Sequence, residues 1–246
     1  MLKTWAAGPK DALPLVFIHG WACSHAAMQP LIELLKDEFY CQSIDLLGHG
    51  ESPNARDYSI AAQAGAVIET CGATLRRSLI IGHSMGGQIA LDLAARGYAA
   101  AAVLLDPANI ISPSGAVKWN EAHSETLKTA DIPAHLKQFA RDQFRYKIAP
   151  EIVENVAKTM AKTQPEVARR AWDAILSFDG AARLAALKVP ALTIFADRPL
   201  NDGRAMQKAS KYISLAQTAG AGHMHQIEVP EQIAAMVRRF ISQLDI

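Results

Sequence analysis

Five short runs set the terms for this chain: LPLVFIHG (13–20), FYCQSIDLLG (39–48), RSLIIGHS (77–84), AAVLLDPA (101–108) and PALTIFAD (190–197). Each is rich in β-favouring residues and is bounded by turn-forming Gly, Asp or Pro, which marks it as a strand. A strand with one face in water alternates apolar with polar residues. Runs this uniformly apolar are buried on both faces, which requires a mainly parallel sheet covered by helices. The intervening segments have the length and period of crossover helices: Met28–Asp37, Ile60–Leu75 and Gly86–Arg96, with Pro230–Leu244 as a last helix. Pro230 stands at a helix start, where a missing N–H costs little. Met1–Ala6, followed by AGPKDA, reads as an edge strand and hairpin.

One block breaks the alternation. Between Ile110 and Leu187 there are only helical patterns, such as PAHLKQFARDQF, APEIVENVAKTMAK and PEVARRAWDAILSF. The simplest account is a helical cap over 110–187 inserted into an α/β core made of 1–109 and 188–246. A chain of 246 residues suits one such domain. Half the residues are hydrophobic and a fifth charged, which is a globular rather than a disordered composition.

The net charge is +1, and the pairs Arg76–Arg77, Arg169–Arg170 and Arg238–Arg239 are scattered rather than gathered in a stripe. This pattern predicts neither a nucleic-acid groove nor a membrane-surface patch. No run approaches the roughly 18 apolar residues of a spanning helix, and the N-terminal stretch does not have the form of a signal peptide, so a cytoplasmic protein is expected. Cys23, Cys41 and Cys71 are odd in number and widely spaced, which predicts neither a disulfide framework nor a thiolate metal site. The sequence sets no oligomeric state.

The stretch Gly82-His83-Ser84-Met85-Gly86 lies between a β-rich run and an amphipathic helix. A turn this tight holds its central residue in a strained conformation, and side chains two positions before and after it would strike the flanking strand and helix. Glycine at both places removes the clash. Ser84 is then raised clear of the sheet edge, with the helix N-terminus behind it offering unpaired N–H groups to a developing anion. Ser84 is the candidate nucleophile.

A serine nucleophile needs a base and an oxyanion site. The turn His19-Gly20-Trp21 after the first apolar run aims the Trp21 N–H toward the same place as that of Met85, so these two amides are the candidate oxyanion hole. His19 itself reads as a histidine that braces loop backbone. AGAGHMHQIEVPEQI places His223 on a glycine-flanked loop just before the last helix, and His223 is the candidate base, ahead of His225 two residues on. His49 reads as loop-bracing, and His83 as a neighbour of the nucleophile that points elsewhere. His223 and His225 lack the further His/Asp cluster of a zinc or di-metal site, and neither a complete G-x-G-x-x-G nor a Walker-type GK[ST] is present.

IHGW, DLLGHGES, GHSMGG and GHMHQIEVPEQ, in this order and spacing, resemble the α/β-hydrolase superfamily, in its branch of small cofactor-free esterases with a helical cap. The resemblance implies a Ser–His–acid triad, an acyl-enzyme pathway, a pocket between core and cap, and no cofactor. In the family the acid usually sits a few residues beyond the strand matching ALTIFA, but that register lands on Pro199, with Asp197 too early and Asp202 late. Other members carry it after the strand next to the nucleophile, where AVLLDPAN offers Asp106. Asp106 is therefore the first choice, Asp197 the alternate and Asp202 the third. Trp119, Phe139, Phe144, Met160, Trp172 and Phe178 are candidates to line an apolar pocket, and the substrate expected is a small, uncharged or weakly polar carboxylic ester, ahead of thioesters and lactones. The rivals are a carbon–carbon bond hydrolase, a cofactor-free dioxygenase or a perhydrolase on the same fold, and a non-catalytic ligand receptor.

Overall fold

Strands form where the apolar runs stand. In the computed structural model, which describes residues 1–146 and 148–244, the chain begins β1 (Thr4–Ala7), β2 (Pro14–Ile18), α1 (Gln29–Leu35), β3 (Tyr40–Ile44), α2 (Ile60–Cys71), β4 (Leu79–His83), α3 (Met85–Ala95) and β5 (Ala101–Leu105). Five helices follow: α4 (Ser114–Thr129), α5 (Ile132–Asp142), α6 (Pro150–Met160), α7 (Pro165–Ser177) and α8 (Gly180–Ala185). No strand occurs among the described residues of this block. The chain closes with β6 (Ala191–Phe195), α9 (Gly203–Ala209), β7 (Ile213–Gln217), α10 (His225–Glu228) and α11 (Pro230–Ile241).

The seven strands form one sheet in the order β1-β3-β2-β4-β5-β6-β7. Every neighbouring pair is parallel except β1 with β3. β1 is the expected edge strand, but the hairpin is corrected: Thr4 stands opposite Ile44 of β3, because β2 already pairs with β3 on one side and β4 on the other. Helices cover both faces of the sheet, which makes this an α/β fold with a mostly parallel central sheet.

The pleat divides each strand between two cores. Val16, Ile18, Ile80, Ala102 and Leu104 belong to one apolar cluster with α2, α3 and the inserted helices. Leu15, Phe17, Leu79, Ile81, Val103 and Leu105 belong to the other, with α1 and α11. This is why the strands read as unbroken apolar runs: successive residues point to opposite faces, and both faces are dry. Among the described residues no helix is long and apolar enough to cross a membrane.

Candidate active site

Ser84 is the single residue between β4 and α3, and it is held at φ 54° and ψ −115°. Its backbone is fully tied: its N–H donates to the Leu105 carbonyl (3.0 Å), and its carbonyl accepts from Gly87 (2.9 Å) and Ala108 (3.1 Å). Such over-determination is what lets a strained conformation persist. A Cβ on Gly82 would meet the Gly86 carbonyl, and one on Gly86 the carbonyls of Ile18 and His19, all well inside the 3.0 Å that real Cβ contacts keep. The glycines thus stand where two backbones nearly touch.

Asp106 directly follows β5, one strand over, at φ 37°, with its N–H donating to the Ile194 carbonyl (2.8 Å). Its side chain is buried, and its Oδ2 lies 2.7 Å from Nδ1 of His223. Nδ1–H donates to this carboxylate, which leaves Nε2 of His223 as the free basic nitrogen. Ser84 and His223 line the same cleft. No hydrogen bond joins the hydroxyl to the imidazole among the described residues, and bonds of this kind often tighten only once substrate is bound.

The other two acids are engaged elsewhere. Asp197 accepts from the Tyr146 hydroxyl and from the Gly220 N–H (3.2 Å). These bonds, with the Tyr146 hydroxyl the largest contributor, hold its carboxyl below the usual range. Asp202 caps α9 by accepting from the Ala205 N–H (3.0 Å). The geometry therefore brings Asp106, not the alternate Asp197, to His223. The sheet explains it: β5 lies directly beside the β4 that carries Ser84, whereas β6 is one strand further out.

The turn after β2 reaches the same spot. A Cβ on Gly20 would stand 3.2 Å from Ser84 Cβ, and Gly20, Trp21, Ser84 and His223 border one narrow cavity. Met85 is the first residue of α3, where an N–H has no intrahelical acceptor. The Trp21 indole N–H donates to the Ala168 carbonyl of α7 (2.8 Å), which anchors this turn to the inserted helices. His19 donates from Nδ1 to the Gly20 carbonyl (2.8 Å) and accepts at Nε2 from the Leu46 N–H (3.1 Å), so it is neutral, and burial pushes its pKa down to about 3. His49 likewise donates to the Leu47 carbonyl (2.9 Å). Both brace loops, as their sequence setting suggested.

Several supporting contacts were not legible in the sequence. His83 donates from Nε2 to the carbonyl of His223 (2.9 Å), and burial holds it neutral, well below its ordinary pKa. The His223 N–H donates to the Gln143 carbonyl (3.0 Å). Glu228 gathers three N–H groups, from Gly222 (2.8 Å), Arg145 (3.4 Å) and Tyr146 (3.4 Å). The histidine loop is thereby stitched to the segment after α5. His225 is fully buried and contacts Thr218 through Nδ1 (3.2 Å), and burial lowers its pKa to about 4.

The cleft over Ser84 has a volume of about 420 Å³. Of the aromatic candidates, Trp119, Phe139 and Trp172 line it, and Met160 borders the narrow cavity beneath. Phe144 and Phe178 instead pack against the core cluster. Arg198 and Asp142 bring one charge of each sign to the cleft wall. Among the described residues no three His, Cys, Asp or Glu side chains group as metal ligands.

The comparisons with known proteins agree with this architecture. The chain is 27% identical to the 3-oxoadipate enol-lactonase 1 of Acinetobacter baylyi, over 96% of this chain and 91% of that protein. It is also 27% identical to a pimeloyl-[acyl-carrier protein] methyl ester esterase of Neisseria meningitidis, over 94% of each. In three dimensions it superposes on the enol-lactonase from Burkholderia xenovorans LB400 with a TM-score of 0.87 at 20% identity, covering 98% of this chain and 96% of that one. With the chain from β2 into α11 accounted for by a model of the alpha/beta hydrolase family that matches residues 15–236, this chain belongs to that family.

Proposed function

We propose that the protein is a serine hydrolase that cleaves small carboxylic esters through an acyl-enzyme, with Ser84, His223 and Asp106 as its triad. The observation that carries this reading is the 2.7 Å contact between His223 Nδ1 and Asp106 Oδ2, made at the wall of the cleft that Ser84 enters. Ser84 Oγ attacks the ester carbonyl while Nε2 of His223 takes its proton. The tetrahedral oxyanion is held by the Trp21 and Met85 N–H groups, with the α3 N-terminus adding positive potential. His223 then protonates the departing alcohol. Water, activated by the same nitrogen, cleaves the acyl-enzyme and restores Ser84. Asp106 fixes the tautomer and stabilises the imidazolium. Each step uses groups of this chain and water.

The block 110–187 acts in this reading as a cap, with α4, α5 and α7 supplying the apolar wall and α8 resting on α3. An apolar cleft with balanced charge suits an uncharged ester of modest size. Two relatives whose names specify a methyl ester esterase and an enol-lactonase support an ester bond as the target, and a lactone is a cyclic ester open to the same attack.

A fluorophosphonate probe tests the assignment. Labelling is expected at Ser84 and is lost in Ser84→Ala, and hydrolysis of p-nitrophenyl acetate by that variant falls by at least about a thousandfold. An unlabelled wild-type serine, or a Ser84→Ala variant that keeps its rate, overturns it.

A further inference from the structure

Cys23 and Met160 each face two cavities. On one side is the narrow cavity of about 20 Å³ walled by Ser84 and His223. On the other is a cavity of about 180 Å³ between the turn around Ala27 and helix α6, bounded by Ile152, Val156 and Ile227. Cys23 and Met160 are 3% and 1% exposed, so between them they form a partition one side chain thick. The narrow cavity also shares Ser84, Phe139, Trp172 and His223 with the 420 Å³ cleft. Three spaces therefore lie in series, with the nucleophile at the junction of the first two and two apolar side chains dividing the second from the third.

We propose that the rear cavity is an acyl-chain site: an unbranched alkyl chain on the carbonyl held at Ser84 passes between Cys23 and Met160 and lies against Val156 and Ile152, while the alcohol departs through the cleft. This rests on the ester-hydrolase reading and names the substrate class, straight-chain saturated acyl esters. Three features favour it. The lining is predominantly aliphatic, so a chain entering it leaves water at a gain of about fourfold in affinity per methylene. Met160 is unbranched and carries a soft, rotatable side chain, which can swing aside without disturbing the helix backbone that bears it. Cys23 is small, and burial pushes its thiol up to about 12, so the gap carries no charge. A chain branched next to the carbonyl does not fit a passage two side chains wide. Ile152, which is 37% exposed, marks the far end as open to the surface of α6, so long chains emerge there instead of being refused.

The experiment compares p-nitrophenyl acetate, hexanoate and octanoate on the wild type, Val156→Trp and Met160→Ala. Val156 is half-buried and lines the rear cavity but neither the cleft nor the narrow cavity that Ser84 borders, and tryptophan there fills the rear cavity. The expected result is that Val156→Trp lowers kcat/KM for the octanoate by about tenfold or more relative to the acetate, whose turnover is unchanged. Met160→Ala, if it folds, moves the octanoate-to-acetate ratio the other way. An octanoate-to-acetate ratio in Val156→Trp equal to the wild-type ratio overturns the proposal. Binding of free octanoate to the same proteins, followed by calorimetry, separates the two readings. If no ester is turned over, the hydrolase reading fails, yet octanoate bound by the wild type and lost in Val156→Trp still supports the chain site, and octanoate bound equally by both refutes it.

Discussion

Ser84 pays for its position with a backbone conformation that costs on the order of 1–3 kcal/mol in an ordinary residue. That strain is held by hydrogen bonds to Leu105, Gly87 and Ala108, so it is part of the fold and is present before any substrate arrives. Asp106 is similar in kind, at φ 37° and with its N–H fixed to Ile194. The two residues end adjacent strands, and the imidazole of His223 is oriented from one of them. This separates the acids by experiment. Asp106→Asn keeps the shape but reverses the hydrogen-bond partner of Nδ1, and kcat on p-nitrophenyl acetate is expected to fall by about 10³–10⁴. Asp197→Asn, whose carboxylate meets Tyr146 and Gly220 instead, is expected to stay within about threefold of wild type, as surface substitutions usually do. The reverse order of the two losses would reassign the triad. At Gly86 the backbone of β2 leaves no room for a methyl group, so Gly86→Ala is expected to lose both activity and several kcal/mol of stability in urea unfolding.

Elements hold His223 by a different device. The His223 loop has little regular structure of its own, and its shape is set by what it meets: His83 below, Gln143 beside it, and the Glu228 carboxylate that closes the ring of N–H groups from Gly222, Arg145 and Tyr146. Glu228→Ala leaves those donors without a partner, and kcat is expected to fall about ten- to a hundredfold through misplacement of His223, with KM for the acetate ester nearly constant. Glu228→Gln keeps an acceptor oxygen and is expected to recover most of the rate, whereas equal losses in both would show that charge, not position, is at stake. None of this was legible in the sequence, because Glu228 and Arg145 are 83 positions apart and nothing local marks either as a partner. The elements themselves divide the same way. β2, β4, β5 and β6 announce themselves because both of their faces are dry, and β3 keeps Tyr40 and Gln42 half-buried on one face, but β7, Ile213–Gln217, is an edge strand whose residues past Ile213 are half or fully exposed, and it carries no such run. Ser84 was legible from its glycines and His223 from its loop. Asp106 stood apart from Asp197 and Asp202 as the partner of His223 only once β5 was seen beside β4, since sequence order does not say which strands are neighbours.

The molecule as a whole places histidines where water does not reach. His19 follows β2, His83 ends β4 and His225 opens α10, each at most 1% exposed and each held neutral chiefly by burial. In the unfolded chain a histidine takes up its proton near pH 6.5, whereas folded His225 resists until about 4 and folded His19 until about 3. Between these limits the unfolded state binds more protons, so stability falls as the pH falls. Going from about pH 7 to about pH 5, His225 alone removes about 2 kcal/mol and His19 about as much again. Urea unfolding followed by circular dichroism at the two pH values reads the total, to which His83, His49 and His123, also lowered by burial, add in the same direction. The assignment to His225 is tested by His225→Gln, whose amide still reaches Thr218 but does not titrate, and the difference between the two pH values is expected to shrink by about 2 kcal/mol in that variant. A difference equal to that of the wild type would mean that His225 takes up its proton at the same pH folded as unfolded, and a larger one that it is already protonated in the folded protein; either outcome overturns the neutral cluster behind His223.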